Sequence, residues 1–201
     1  MLSNGTNAYA DTFIVASTQL SINNTHLSYY SRTNNNLGGT DMGAWALTSQ
    51  AQYVALQLRA GDKFHSQIYL PQSTVANASV TNTDSTGFFL GSRTASNVLS
   101  GFKNGIKVIT NSNSPQDPIP YSVYIGSVNN RGLGAFNYVN KECSFASLGS
   151  GLTDLEAQVF NQIVEGYQFE LSRNINPSQS FYYNTASVSY THLTLPTILL
   201  V

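Results

Sequence analysis

Apolar and polar residues alternate with period two along most of the chain, in short runs interrupted by Gly, Asn and Pro. The clearest run surrounds Asn104-Gly105. A two-residue type I′ turn needs positive φ at both central positions, and Asn followed by Gly supplies it with least strain. Phe102 precedes the turn and Ile106, Val108 and Ile109 follow it, so the arms read as paired strands sharing an apolar face. Tyr53–Arg59 and Phe64–Leu70 flank Ala60-Gly61-Asp62-Lys63 and read as a second hairpin. Thr25–Thr33 alternates with Leu27, Tyr29 and Ser31 on one side. Ala8–Phe13, Asp41–Leu47, Gly87–Arg93, Tyr121–Gly126 and Ser144–Leu148 are further strand-like runs, while Asn34–Gly39 and Ser112–Pro120 are loops by composition.

The period changes once. Thr153 and Glu156 have the spacing of a capping box, in which each side chain satisfies a backbone N–H at the start of a helix. Leu155, Val159, Phe160, Ile163, Val164, Tyr167 and Leu171 then recur at helical spacing, and the stripe is expected to pack against a sheet. Many short strands followed by one helix predict an all-β, antiparallel sandwich with a single C-terminal helix.

Composition narrows the setting. Charged residues are 9% of the 201, against about 25% in a typical soluble domain. Ser, Thr and Asn number 64, and there are 12 Tyr and 10 Phe, so the chain lacks the charged, aromatic-poor composition of disorder. With a net charge of −1 and no Lys/Arg cluster, it lacks the electrostatic footprint that nucleic acid or an anionic membrane would require. The single cysteine, Cys143, excludes an internal disulfide and sits in a strand-like run, where it reads as a buried thiol. Met1–Thr6 shows neither the basic nor the apolar region of a signal peptide.

Several runs together resemble the LamG-like, concanavalin A-like jelly-roll family. They are Phe102-Lys103-Asn104-Gly105, Tyr124-Ile125-Gly126-Ser127, and Phe145-Ala146-Ser147-Leu148-Gly149 leading into Leu152-Thr153-Asp154-Leu155-Glu156-Ala157. Asn4–Thr12 and Thr25–Thr33 are more loosely similar to variants carried by phage and marine metagenomic sequences. The resemblance covers roughly Asn4 to Leu171. It implies a jelly-roll domain over 1–173 that lacks an N-terminal strand, followed by a linker over 174–187. It also implies a virion-surface, tail-fibre or extracellular setting, with a cell-surface glycan or other virion proteins as partners. Residues 188–201 form a separate case. Val188–Thr197 resembles a sequencing-library adapter translated in one frame, and such scars are set aside from fold reasoning.

The same fold hosts glycoside hydrolases, which need two carboxylates a few ångströms apart. Glu occurs only at 142, 156, 165 and 170, the last three in the helical run, and Glu142 has no acidic neighbour at alternating spacing. His26 and His65 lie in no nucleophile motif, and no zinc-ligand spacing occurs. No cofactor is expected. Calcium, the common metal of the family, would draw on Asp41, Asp62, Asp84 or Asp117, but these form no local acidic cluster and read as turn and capping residues. Lys103 and Lys107 read as solvated edge charges. For a sugar, the useful groups are a flat aromatic ring and amide or guanidinium donors. Trp45 is a candidate platform, with a core indole as its alternative. Asn129, Asn130 and Arg131 are candidate ligand-binding residues in a loop after a strand, with a plain Asn-Gly-rich turn as theirs. Asn34–Asn36 is a weaker instance of the same pattern. The expectation is a non-catalytic recognition or adhesion module.

Overall fold

The computed structural model describes residues 1–48 and 50–175. In chain order the strands are β1 (Ala10–Val15), β2 (Thr25–Ser31), β3 (Met42–Leu47), β4 (Ala51–Gln57), β5 (Lys63–Pro71), β6 (Ser79–Thr81) and β7 (Gly87–Ala95). They continue as β8 (Val98–Lys103), β9 (Ile106–Asn111), β10 (Ser122–Ile125), β11 (Val128–Asn130), β12 (Ala135–Phe136) and β13 (Cys143–Gly149). A one-turn helix α1 (Ala16–Gln19) and a 3₁₀ segment (Gln72–Ala78) punctuate them, and α2 (Asp154–Glu170) closes the domain. One sheet runs β1-β10-β3-β4-β5-β6, with β11 and β12 attached beside β3; the other runs β13-β2-β7-β8-β9. Pairing is antiparallel except between β11 and β3, which run parallel. The fold is an all-β jelly-roll sandwich with a C-terminal helix.

Side chains from both sheets meet between them. Leu27, Tyr29, Leu56, Phe64, Ile68, Phe89, Leu99 and Ile109 belong to one buried cluster, and Phe64 and Phe89 meet edge to face at 5.0 Å. A second, smaller cluster lies beneath α2, where Tyr30, Phe88, Leu90 and Phe102 face Ala157 and Val164. Strand β2 contributes to both, so all seven of its residues are buried, and the alternation read in the sequence marks two covered faces.

The Asn104-Gly105 hairpin forms as predicted, with φ of 50° and 77° at its two central residues. Asn104 also ties the turn to β7: its N–H donates to Phe88 O (2.7 Å) and its Oδ1 accepts from Phe88 N (2.9 Å). The shared apolar face is corrected. Gly101 pairs with Ile109 but Phe102 with Lys107, so Val108 is the extra residue of a β-bulge. Ile109 therefore enters the core while Ile106 and Val108 stay exposed, Ile106 by 67%.

The helix starts as predicted, with both halves of the Thr153–Glu156 capping box in place. Its orientation does not follow the stripe. Leu155 is 69% exposed, Ile163 62% and Tyr167 51%, and Val159 and Leu171 are also exposed. Of the stripe, Val164 is buried and Phe160 partly so, and beside them Ala157, Asn161, Glu165 and Gln168 are buried. Polar anchors set this rotation: the Tyr30 hydroxyl of β2 donates to Glu165 Oε2 (2.9 Å), and Asn161 packs against Gly105 of the hairpin. Of the expected linker, Ile175 packs on the second cluster and its N–H donates to the Tyr30 hydroxyl (3.2 Å). Residues 176–187 and the adapter-like 188–201 lie outside the described residues.

Candidate functional site

On β3, Met42, Ala44 and Ala46 point into the core, so by strand alternation Gly43 and Trp45 look out from the other side of the sheet. Trp45 is half-buried there. Its cross-strand partner is Tyr53 of β4, and the two rings lie nearly parallel, 18° apart with centroids at 6.0 Å. Parallel pairing of β11 with β3 brings Asn130 level with Trp45, and the next residue, Arg131, places its guanidinium carbon 4.7 Å from the indole centroid. Three of the residues singled out from the sequence, Trp45, Asn130 and Arg131, thus stand together although Trp45 lies more than eighty positions before the other two.

The local backbone explains the placement. Arg131 and Gly132 take φ of 56° and 75°, which reverses the chain between β11 and β12. Asn129 is committed to this turn. Its side-chain NH₂ donates to Ser122 O (3.0 Å), its Oδ1 accepts from Gly132 N (2.9 Å), and it is buried. Its side chain is thus taken up in the turn, the alternative read from the sequence. Asn129 and Asn130 also lie in a strand, because β3 offers them a partner that no local signal reveals. Asn130 Oδ1 and Arg131 Nε are buried with no hydrogen-bond partner.

The same side of the sheet carries further aromatic and amide groups. Tyr124 of β10 is level with Gly43, which is level with Ala55, which is level with Gln67 of β5. Tyr9 stacks on Tyr124 at 4.8 Å, and Tyr138 meets Tyr9 edge-on at 6.2 Å. A side chain at Gly43 would come within 2.6 Å of the Ala55 Cβ, so only glycine fits there. Gln67 donates to Gln57 Oε1 (3.2 Å). The sequence reading missed Tyr53, whose alternation against Val54 and Leu56 was a usable signal. It also missed Tyr9 and Tyr124, whose pairing depends on β1 lying beside β10.

Other candidates resolve into structural roles. Asn34 Oδ1 accepts from Arg59 (2.8 Å) and from Ser85 N (3.1 Å), so it bridges loops. Asp41 is fully buried, accepts from Leu58 N (2.7 Å) and pairs with Lys141 at 3.1 Å, itself fully buried. Burial pushes the Asp41 carboxyl above its ordinary range, with Lys141 opposing the shift. Asp62 pairs with Arg59 (2.8 Å), Asp84 accepts from Thr86 N (2.9 Å), and Glu142 pairs with Arg32 (2.8 Å). Lys103 is no solvated edge charge: it donates to Asn82 Oδ1 and Asp84 O, both at 2.7 Å. Lys107 pairs with Asp154 at 3.1 Å. His26 Nδ1 donates to Ser150 O (2.6 Å), and Nε2 faces the Ser147 hydroxyl (3.0 Å), so a carbonyl stands where a triad would have a carboxylate. Cys143 is buried, which pushes its thiol up to about 11 and keeps it in the unreactive protonated form. Among the described residues, no three His, Cys, Asp or Glu side chains cluster as metal ligands.

No family model matches the sequence, and no curated protein matches it. Among solved structures the chain is similar to the sialidase NanB of Streptococcus pneumoniae. One crystal structure of a NanB mutant gives a TM-score of 0.55 at 12% identity, and NanB with Optactamide gives 0.56 at 14%; each match covers 79% of this chain and 26% of that one. The chain therefore spans about a quarter of the length of those proteins. It is also similar to domain 4 of AbnA, a GH43 extracellular arabinanase from Geobacillus stearothermophilus in complex with arabinotriose, with 15% identity, a TM-score of 0.46, and 79% and 82% of the two chains covered. The named neighbours are a sialidase and one domain of an arabinanase. At such identities the likeness shows the fold alone, an all-β sandwich.

Proposed function

We propose that this domain is a non-catalytic carbohydrate-binding module whose binding surface is the outward side of the larger sheet. The observation that carries the reading is the Arg131–Trp45–Tyr53 row, with Asn130 alongside. Sugar rings present C–H faces that pack on flat aromatics, while their hydroxyls take up amide and guanidinium donors. Arg131 already covers one face of the indole, so Tyr53 and the free edge of Trp45 are the surfaces left for a ring. The fold likeness to a sialidase supports a carbohydrate context. The motif resemblance to phage sequences supports a virion surface or tail fibre facing a cell-surface glycan, outside the cell.

A glycan-array screen of the folded protein, run beside Tyr53→Ala and Arg131→Ala, tests the reading. Binding by the parent and loss in both variants is the expected result. A blank array for the folded parent sinks it, and measurable oligosaccharide hydrolysis overturns the non-catalytic part. A second reading, a structural virion module that only contacts other proteins, is favoured by the exposed apolar residues of α2. A blank array would move the assignment there.

A further inference from the structure

Strand β1 departs from regular pairing where it passes Val123. Asp11 is level with Tyr124 and Val15 with Ser122, so Thr12, Phe13 and Ile14 stand opposite one residue of β10. The bulge supplies its own hydrogen bonds. Thr12 Oγ1 donates to Val123 O (2.8 Å), Ile14 N–H donates to Thr12 Oγ1 (3.1 Å), and Phe13 N–H donates to Asp11 Oδ1 (2.8 Å). At its centre Phe13 takes a φ of 58° and is left 80% exposed.

Both features cost free energy. A Cβ disfavours the left-handed region, and an aromatic ring held in water forgoes burial. Other residues at positive φ have ready reasons. Asp62, Asn104 and Asn137 are of the types that tolerate it, Ser172 sits just past the end of α2, and Tyr69 is buried with its hydroxyl donating to Ala16 O (2.8 Å). Phe13 has no such reason. Bulges re-aim side chains, and strain of this kind clusters at binding sites. Arg131, at φ 56°, is the comparable case, and its guanidinium lies on Trp45.

The bulge and Arg131 belong to one surface. Val15 pairs with Ser122, Ser122 O accepts from the Asn129 amide (3.0 Å), and Asn130 is level with Trp45, so β1, β10, β11 and β3 stand side by side here. Tyr121, which precedes Ser122, packs against Gly132 of the β11–β12 turn. Phe13 follows Asp11, which is level with the outward-facing Tyr124. Three strand spacings separate β1 from β3, about 14 Å, which is more than one sugar ring covers. We propose, on the carbohydrate reading of this sheet, that Phe13 is a second ring platform of the same site. The ligand is then an oligosaccharide chain lying across β3, β11, β10 and β1, not a single terminal sugar. One end packs on Tyr53 and Trp45, Arg131 faces the middle, and Phe13 takes the C–H face of a further ring.

The test is calorimetric titration with two fragments of the strongest array glycan, a disaccharide and a chain of about five sugars, long enough to span the two platforms. The proteins are the parent, Phe13→Gly, Phe13→Trp and Tyr53→Ala, each with a thermal melt. The parent should bind the longer fragment about fivefold or more tighter than the shorter. Phe13→Gly should erase that gain while Tm holds or rises, because glycine accepts the φ that phenylalanine resists. Phe13→Trp should keep the gain. An undiminished gain in folded Phe13→Gly overturns the inference, and so does a lowered Tm, which would make the ring a structural one. Weakened binding by Tyr53→Ala beside unaltered binding by Phe13→Gly leaves the sheet a sugar site and removes Phe13 from it. A parent blank on the array overturns both proposals.

Discussion

Arg131 shows how one side chain can both build and limit a site. Its guanidinium stacks on Trp45 and so hides one indole face, yet its Nε has no partner. Arg131→Ala should therefore remove a donor and uncover a ring, weakening binding by about 1–2 kcal/mol with little loss of fold stability. Calorimetric titration with an array hit and a melt of the same variant check the two halves. Asn129→Ala should do the reverse, costing about 1–3 kcal/mol of stability because Gly132 N–H and Ser122 O lose a buried partner. From the sequence these neighbours look alike, since both sit in one Asn-Gly-rich run. What separates them is a crossing of distant strands, which brings Asn130 and Arg131 to Trp45 and turns Asn129 inward.

Histidine titration gives a further prediction at this scale. Burial holds His26 and His65 below the ordinary imidazole value. The folded chain thus binds fewer protons than the unfolded chain, and the stability these groups contribute is present above the unfolded value, about 6.5, and lost as pH falls through it. Asp41, held above its ordinary value by burial, acts in the opposite sense at lower pH. Denaturant titrations at about pH 7.5 and about pH 5.5 should show the decline, and the paired change His26→Gln with His65→Gln should flatten it. A slope unaltered by that change would contradict the assignment to histidine.

Among the elements, α2 separates what a pattern reveals from what it cannot. The capping box and the helical period were both legible, because each depends only on residues three or four apart. The buried face was legible only in part, at Val164 and Phe160. Tyr30 and Gly105 beneath the helix favour Glu165 and Asn161, and these polar anchors rotate the apolar stripe outward. Val164→Ala should cost about 2 kcal/mol, whereas Leu155→Gln should stay within about 0.5 kcal/mol, a contrast visible in urea melts. Thr153→Ala should cost about 1 kcal/mol through loss of the cap. The Asn104-Gly105 hairpin teaches the same lesson. Its turn is written in two residues, but the bulge at Val108 that decides which arm residues are buried arises from pairing with β8.

For the whole molecule, the sandwich divides its labour between two outer surfaces. The larger sheet turns aromatic and amide side chains outward, and the smaller sheet carries α2. A buried Asp41–Lys141 pair at 3.1 Å joins the start of β3 to the segment leading into β13, and so links the two sheets. Removing one partner, as in Lys141→Met, should cost about 3–5 kcal/mol by leaving a buried charge unpaired. The all-β class and its closing helix were readable from alternation and capping alone. Which side chains share the outward side of the larger sheet was not, because that depends on strand order across the sheets.

The outward side of the larger sheet is proposed to bind sugar through Tyr53, Trp45 and Arg131. The most direct measurement is calorimetric titration of one array-positive oligosaccharide into the parent protein and into Tyr53→Ala, with circular dichroism of both. Saturable binding by the parent, lost or weakened about tenfold or more in a variant that keeps its fold, is the predicted result. Undiminished binding by folded Tyr53→Ala would show that the sugar does not sit on this aromatic row.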